Sequence, residues 1–226
     1  MLFRSIPEMR LADIMEQQLG MLVLMVDTIE GVSGAACRLP ELDVVLINRH
    51  EVAGRRNFDL AHELFHLLTW DVMPPEHVED ASEVSKIRVE QLANNFASAV
   101  LMPSLALKRF GDWSELSESA LIKKFNATAD ELLVTASALK WRLVALGWLK
   151  PATAKAISDS ALRNNGRRTG AKDAPPLFSK PFIEVIALAL KDGRVSARRA
   201  AGLLDLTLDD LTDLFRIHGV EAPVEL

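Results

Sequence analysis

His62-Glu63-Leu64-Phe65-His66 sets two imidazoles four residues apart, with a carboxylate directly after the first. On a helix, residues i and i+4 stand one above the other on one face, so both rings can reach a single ion. Zinc takes neutral imidazole nitrogens at about 2.0–2.1 Å and accepts three protein ligands with a position left for water. Glu63 lies beside His62 but is offset around the helix. It is therefore placed to take a proton from that water instead of binding the ion. Metal-assisted hydrolysis is the chemistry this spacing offers.

Two histidines need a third ligand to make a catalytic site of this kind. No further histidine follows at the short spacing that metzincins use, and His77 falls in a proline-rich acidic stretch. Glu90 is the better candidate. In the run Arg88 to Pro103, residues Glu90, Ala93, Asn94, Ala97 and Leu101 fall on one helical face. An acid and an amide on a face otherwise made of alanine and leucine are not arranged as a surface stripe would be. The two alanines let this helix approach the histidine helix closely enough for Glu90 to reach the ion. Asn94, one turn further on, is placed to hydrogen-bond a ligand from behind.

The elements that must carry these groups are legible in outline. Pro7 to about Gln18 reads as an opening helix, and Met21–Asp27 and Asp43–Asn48 as strands, with a weaker strand over Gly31–Arg38. Asp59 reads as the N-cap of a helix running to about Trp70. A second helix is expected from about Ser85 to Met102, stopped by Pro103. The fold expected is α+β: a small twisted sheet packed on the histidine helix and on a second ligand-bearing helix, followed by a mainly helical C-terminal region.

Beyond Pro103 the character changes. Ser117–Phe125 and Ala129–Leu146 read as two helices with a break at Asn126–Thr128, and Asn164–Pro176 as a linker. Lys180–Lys191, Ser196–Leu204 and Thr207–His218 read as three short helices, with Thr207 as a cap. The domain division that follows is a core over residues 1–110, a helix-turn-helix-like helical subdomain over 111–160 whose 117–146 pair is expected to complete the core and border its cleft, a linker over 161–178 and a C-terminal helical module over 179–226.

Composition narrows the setting. The chain has 226 residues, 49% of them hydrophobic and 25% charged, which suits a globular protein with a proper core. The apolar runs fall short of the roughly 20 residues needed to cross a bilayer, and no secretory signal is visible. Cys37 is the only cysteine, which excludes an internal disulfide and a cysteine-based zinc site. A cytoplasmic address without a membrane partner is expected. Net charge is −8 over residues 1–103 and +3 over 104–226. Between Lys140 and Lys172, eight basic residues face Asp159 alone, which reads as a solvated linker or a contact for nucleic acid or an acidic partner.

Phe58-Asp59-Leu60-Ala61-His62-Glu63-Leu64-Phe65-His66, followed by Glu90-x-x-Ala93-Asn94-x-x-Ala97 and Leu101-Met102-Pro103, resembles the ImmA/IrrE family of zinc metallopeptidases over about residues 8–103. The His-Glu-x-x-His plus downstream Glu arrangement is similar to that of gluzincins. The resemblance implies one Zn2+ per chain on His62, His66 and Glu90, with Glu63 as catalytic acid and base. It also implies site-specific cleavage of a helix-turn-helix repressor, in stress-response or mobile-element control. Many members carry or neighbour a DNA-binding domain; none is expected before the core here, and Met1–Arg4 reads as the edge of a longer architecture.

Departures from the family pattern are few. Asp59 stands where a threonine is usual, and Phe65 where a glycine is common, so its bulk bears on metal access. The chain has no tyrosine to hold an oxyanion, which leaves His50, His77, Arg55 and Arg56 as candidates. Arg55 and Arg56 read equally well as structural ion-pair residues. In the C-terminal module, Asp209, Asp210 and Asp213 on the would-be recognition helix oppose DNA contact. Docking of a protein substrate suits that module better. The alternative to an enzyme is a zinc-binding regulator that acts through its helical region without turnover.

Overall fold

The computed structural model describes residues 8–28, 31–74, 83–162 and 174–222. A helix, α1 (Glu8–Gln17), leads into three strands, β1 (Leu22–Val26), β2 (Gly34–Arg38) and β3 (Asp43–Asn48). Two long helices follow, α2 (Ala53–Leu68) and α3 (Glu83–Leu101), then a short α4 (Ser104–Leu107). The remainder is helical: α5 (Glu118–Leu132), α6 (Ala136–Ala145), α7 (Pro151–Ala156), α8 (Lys180–Lys191), α9 (Ala197–Leu203) and α10 (Leu208–His218). The protein is α+β, with the sheet confined to its first quarter.

The sheet order is β1-β3-β2. β1 runs parallel to β3, with Val23 opposite Val45, and β2 runs antiparallel to it, with Ala36 opposite Val45. Val45 and Ile47 are fully buried at its centre. β2 is short and built of small residues, and it forms an edge. Arg38 ties that edge to α2: it holds Asp43 at 2.8 and 3.0 Å and donates to the Leu67 carbonyl at 2.9 Å.

α2 begins six residues before Asp59, at Ala53, so Asp59 is not an N-cap. The cap position is Val52, whose side chain makes no capping bond. Asp59 lies mid-helix on the buried side, where Arg55 one turn earlier donates to it at 3.1 Å. The apolar stripe of Leu60, Ala61, Leu64 and Leu67 outweighs the local capping preference and carries the helix back past Asp59. α3 presents Ala93, Ala97 and Leu101 at zero exposure, the face expected from spacing, and ends before Pro103.

The break expected at Asn126–Thr128 is not there. α5 runs through it because Thr128 and Ala129 are buried, and it stops at Leu133, which takes a left-handed conformation (φ 52°). Asn57 of α2 donates to the Leu133 carbonyl at 2.9 Å, which satisfies a backbone group that the turn leaves over. Thr135 then caps α6, accepting from the Ala138 amide at 3.1 Å. α7, begun by Pro151, was not anticipated.

Buried apolar residues form two clusters, one from Leu11 to Leu162 and one from Ile183 to Phe215. Most of the expected linker lies outside the described residues. The stretch from Pro175 to Ser179 runs beside β1: the Phe178 amide donates to the Met25 carbonyl at 2.7 Å, and Arg49 donates to the Pro175 carbonyl at 3.2 Å. Thr207 caps α10 as expected, in a reciprocal box with Asp210. Among the described residues no helix is long and apolar enough to cross a membrane.

Two outcomes follow from this packing. Ala97→Leu inserts three carbons where no space exists, so it should lower stability by about 1–3 kcal/mol and push α3 away from α2. Thermal unfolding measured with and without zinc checks this: the variant should also lose most of the zinc-dependent rise in Tm. The second concerns Glu16, whose pKa burial raises against the opposing effects of Ser179 and the Val23 amide, with Asp13 adding to the rise. Below the ordinary glutamate value the group is protonated folded or unfolded, and it leaves stability unchanged. As pH climbs through the raised folded value, the folded state must ionise a buried group and loses stability. The Tm advantage of Glu16→Gln over wild type should therefore grow between about pH 4 and pH 8; an advantage that does not change with pH would contradict it.

Candidate metal centre

α2 projects His62 and His66 from consecutive turns toward α3, whose alanine face brings Glu90 over them. Glu90 Oε2 lies 3.1 Å from His62 Nε2, and Glu90 Oε1 lies 3.5 Å from His66 Nε2. The two Nε2 atoms stand 3.1 Å apart, their rings edge to face with centroids at 4.9 Å. Three donors around one tetrahedral ion with bonds of about 2.0–2.1 Å would be separated by about 3.4 Å. The donor set therefore fits a zinc-sized cation in both spacing and chemistry. Among the described residues it is the group of His, Cys, Asp and Glu whose donor atoms converge in this way.

The surroundings favour the metal-binding forms of these side chains. His62 Nδ1 lies 3.2 Å from Asn94 Oδ1. The amide oxygen can only accept, so it fixes the proton on Nδ1 and leaves the Nε2 lone pair facing the other two donors. Burial and the neighbouring His62 lower the pKa of His66, with Glu90 opposing them. The neutral imidazole that results is the form that coordinates metals.

Glu63 stands beside the ligands and is turned toward β2. Burial, then Asp59 and Glu90, push its pKa up to about 7, while the Ala36 amide, donating to the carboxylate, pulls the other way. Space for it depends on Gly34. A Cβ there would sit 3.3 Å from Glu63 Oε1, 3.2 Å from Ile47 Cδ1 and 3.3 Å from the Leu46 carbonyl. The Gly34–Ala36 contribution was not foreseen from the sequence. Its one trace is the run Gly34-Ala35-Ala36 in a strand that would otherwise favour branched residues. Asp59, behind Glu63, has a pKa raised to about 6, with burial as the main cause and Arg55 offsetting it.

The candidates for an oxyanion donor are dispersed. His50 sits in the turn after β3 with Nε2 on Asp27, away from the residues that line the cleft. Arg56 is buried and donates to the Arg49 and Glu51 carbonyls. His77 lies outside the described residues. Arg55 lines the cleft, with its Nε on Asp59. The Phe65 ring packs between His66 (5.9 Å) and Phe96 (5.6 Å), so it buttresses the outer side of His66. The cleft itself, about 460 Å³, opens between the Gly31–Gly34 backbone and the ligand-bearing faces of α2 and α3.

Asn94→Ala removes the acceptor behind His62, and zinc affinity should fall by about 10–100-fold with the fold intact. Competition against a chelating dye measures this, and an unchanged affinity would remove Asn94 from the centre.

Residues 17–137 match the model of a peptidase family described as the IrrE N-terminal-like domain. No curated protein matches significantly. Among solved structures, a Mycobacterium tuberculosis transcriptional regulator aligns with a TM-score of 0.45 and 21% identity, covering 60% of this chain. The matched part is 40% of that regulator's own length. The family match takes in more than half of the chain, including all four residues of the centre, and the protein belongs to the IrrE N-terminal-like peptidase family.

Proposed function

We propose that the protein is an intracellular zinc-dependent endopeptidase that cuts a regulatory protein, a helix-turn-helix repressor being the substrate class. The observation that carries this reading is the convergence of His62, His66 and Glu90 with a separate buried carboxylate, Glu63, alongside. His62, His66 and Glu90 would hold the ion. When bound there, zinc supplies Lewis acidity that polarises a carbonyl and makes water acidic near neutral pH.

Glu63 carries the proton traffic. Its carboxylate accepts a proton from the attacking water and returns it to the amine of the departing peptide half. The Ala36 amide and the open Cα of Gly34 keep that carboxylate in place. The polypeptide to be cut enters the cleft between the Gly31–Gly34 backbone and α3. Arg55, at the cleft wall, is the described basic side chain placed to assist a developing negative charge. The helical C-terminal module serves to dock the protein substrate. Its three aspartates on α10 favour that role over DNA contact.

The test is incubation of the zinc-loaded protein with the repressor encoded beside its gene, with the products read by mass spectrometry. A single cut, abolished by a chelator, is expected. Glu63→Gln should keep zinc and the fold but lose about 10²–10⁴ in rate. A Glu63→Gln protein that cleaves at the wild-type rate would overturn the mechanism. Salt-sensitive DNA binding without any cleavage would overturn the enzyme reading itself.

A further inference from the structure

A second cleft of about 370 Å³ adjoins the metal centre and shares Arg55, Phe58 and Asn94 with it. Its far wall is α6, which contributes Trp141 and Arg142, and its floor includes Ser98 of α3. Among the described residues no carboxylate lines it, although the half of the chain that forms its floor carries a large acidic excess. Arg55 and Arg142 both line it. Arg55 is already paired with Asp59. Arg142 is not paired: its Nε donates to the Met102 carbonyl at 3.2 Å, and no carboxylate of a described residue lies against it. Burial lowers its pKa with no anion offsetting the effect. The side chain is thus anchored at Nε, half-buried, with its terminal amino groups left over for a ligand.

We propose that this cleft is a specificity subsite for an acidic side chain of the peptide substrate, bound by Arg142. The inference rests on the peptidase reading for its substrate, and on the cleft's own charge and shape for its selectivity. A half-buried, anchored guanidinium recognises a carboxylate through paired charge-assisted hydrogen bonds, and it does so better than a mobile surface lysine. The exposed Trp141 indole offers a flat apolar wall for the methylene stem of that side chain. Ser98 and Asn95 supply the neutral polar contacts. Because the two clefts share a wall, the recognised acid lies close to the bond that is cut.

The experiment uses the zinc-loaded full chain carrying Glu63→Gln, presented with a library of blocked hexapeptides, and the retained peptides are sequenced. Aspartate or glutamate should be enriched at one position. Adding Arg142→Gln should reduce that enrichment by about 10–100-fold, and Arg142→Lys should retain part of it. Ser98→Glu places an anion on the floor of the cleft and should turn the preference toward basic side chains, which covers the case in which Arg142→Gln does not fold. No enrichment of acids, or an enrichment that persists in both Arg142→Gln and Ser98→Glu, overturns the proposal. The wild-type protein is run on the same library for cleavage. Cleavage without acid preference leaves the peptidase reading and removes the subsite. Acid retention with no wild-type cleavage of either the library or the neighbouring repressor leaves an acid-binding cleft and removes the peptidase reading.

Discussion

Everything at the centre depends on how closely α3 can approach α2. A helix pair separated by large side chains lies at the wide end of the roughly 8–10 Å range of interaxial distances. Ala93 and Ala97, both fully buried, remove that separation, and Glu90, one turn before Ala93, is carried to within 3.1–3.5 Å of both imidazoles. The cost of the arrangement is electrostatic. Glu63 is brought into range of both Asp59 and Glu90, and burial raises the pKa of Asp59 and Glu63 well above the usual carboxylate values. A divalent cation held there would relieve that repulsion.

The sheet acts as a second support. β2 is an edge strand whose small residues allow Glu63 to reach the Ala36 amide, and Arg38 locks the strand to the C-terminal end of α2. The position of Glu63 is therefore set by a strand and a helix together. On the other side of the sheet, β1 receives the Phe178 amide, so the C-terminal module is attached to the edge remote from β2. That attachment places the C-terminal helices against the edge of the sheet opposite β2.

The ligand-bearing faces were readable because a helix makes residues three and four apart neighbours, and that relation needs no tertiary information. The same logic misled at Asp59. Its side chain suits an N-cap, but a longer apolar stripe buried it inside the helix, where Arg55 pairs with it. Asn126–Thr128 suits a turn by composition, yet burial of Thr128 and Ala129 carries α5 through, and the chain turns instead at Leu133 under the hold of Asn57. The contact of Glu63 with β2 and the shared cleft with α6 join residues far apart in sequence. No local pattern announces them, and only the packed fold brings Gly34 or Arg142 to the site.

The central claim is that one zinc ion sits between His62, His66 and Glu90. X-ray absorption at the zinc edge on the zinc-loaded chain tests it without reference to any substrate. The account requires a low-coordinate nitrogen and oxygen shell at about 2.0–2.1 Å, with outer-shell scattering from two imidazoles. A spectrum without imidazole scattering, or a protein that retains no zinc through gel filtration, would contradict it.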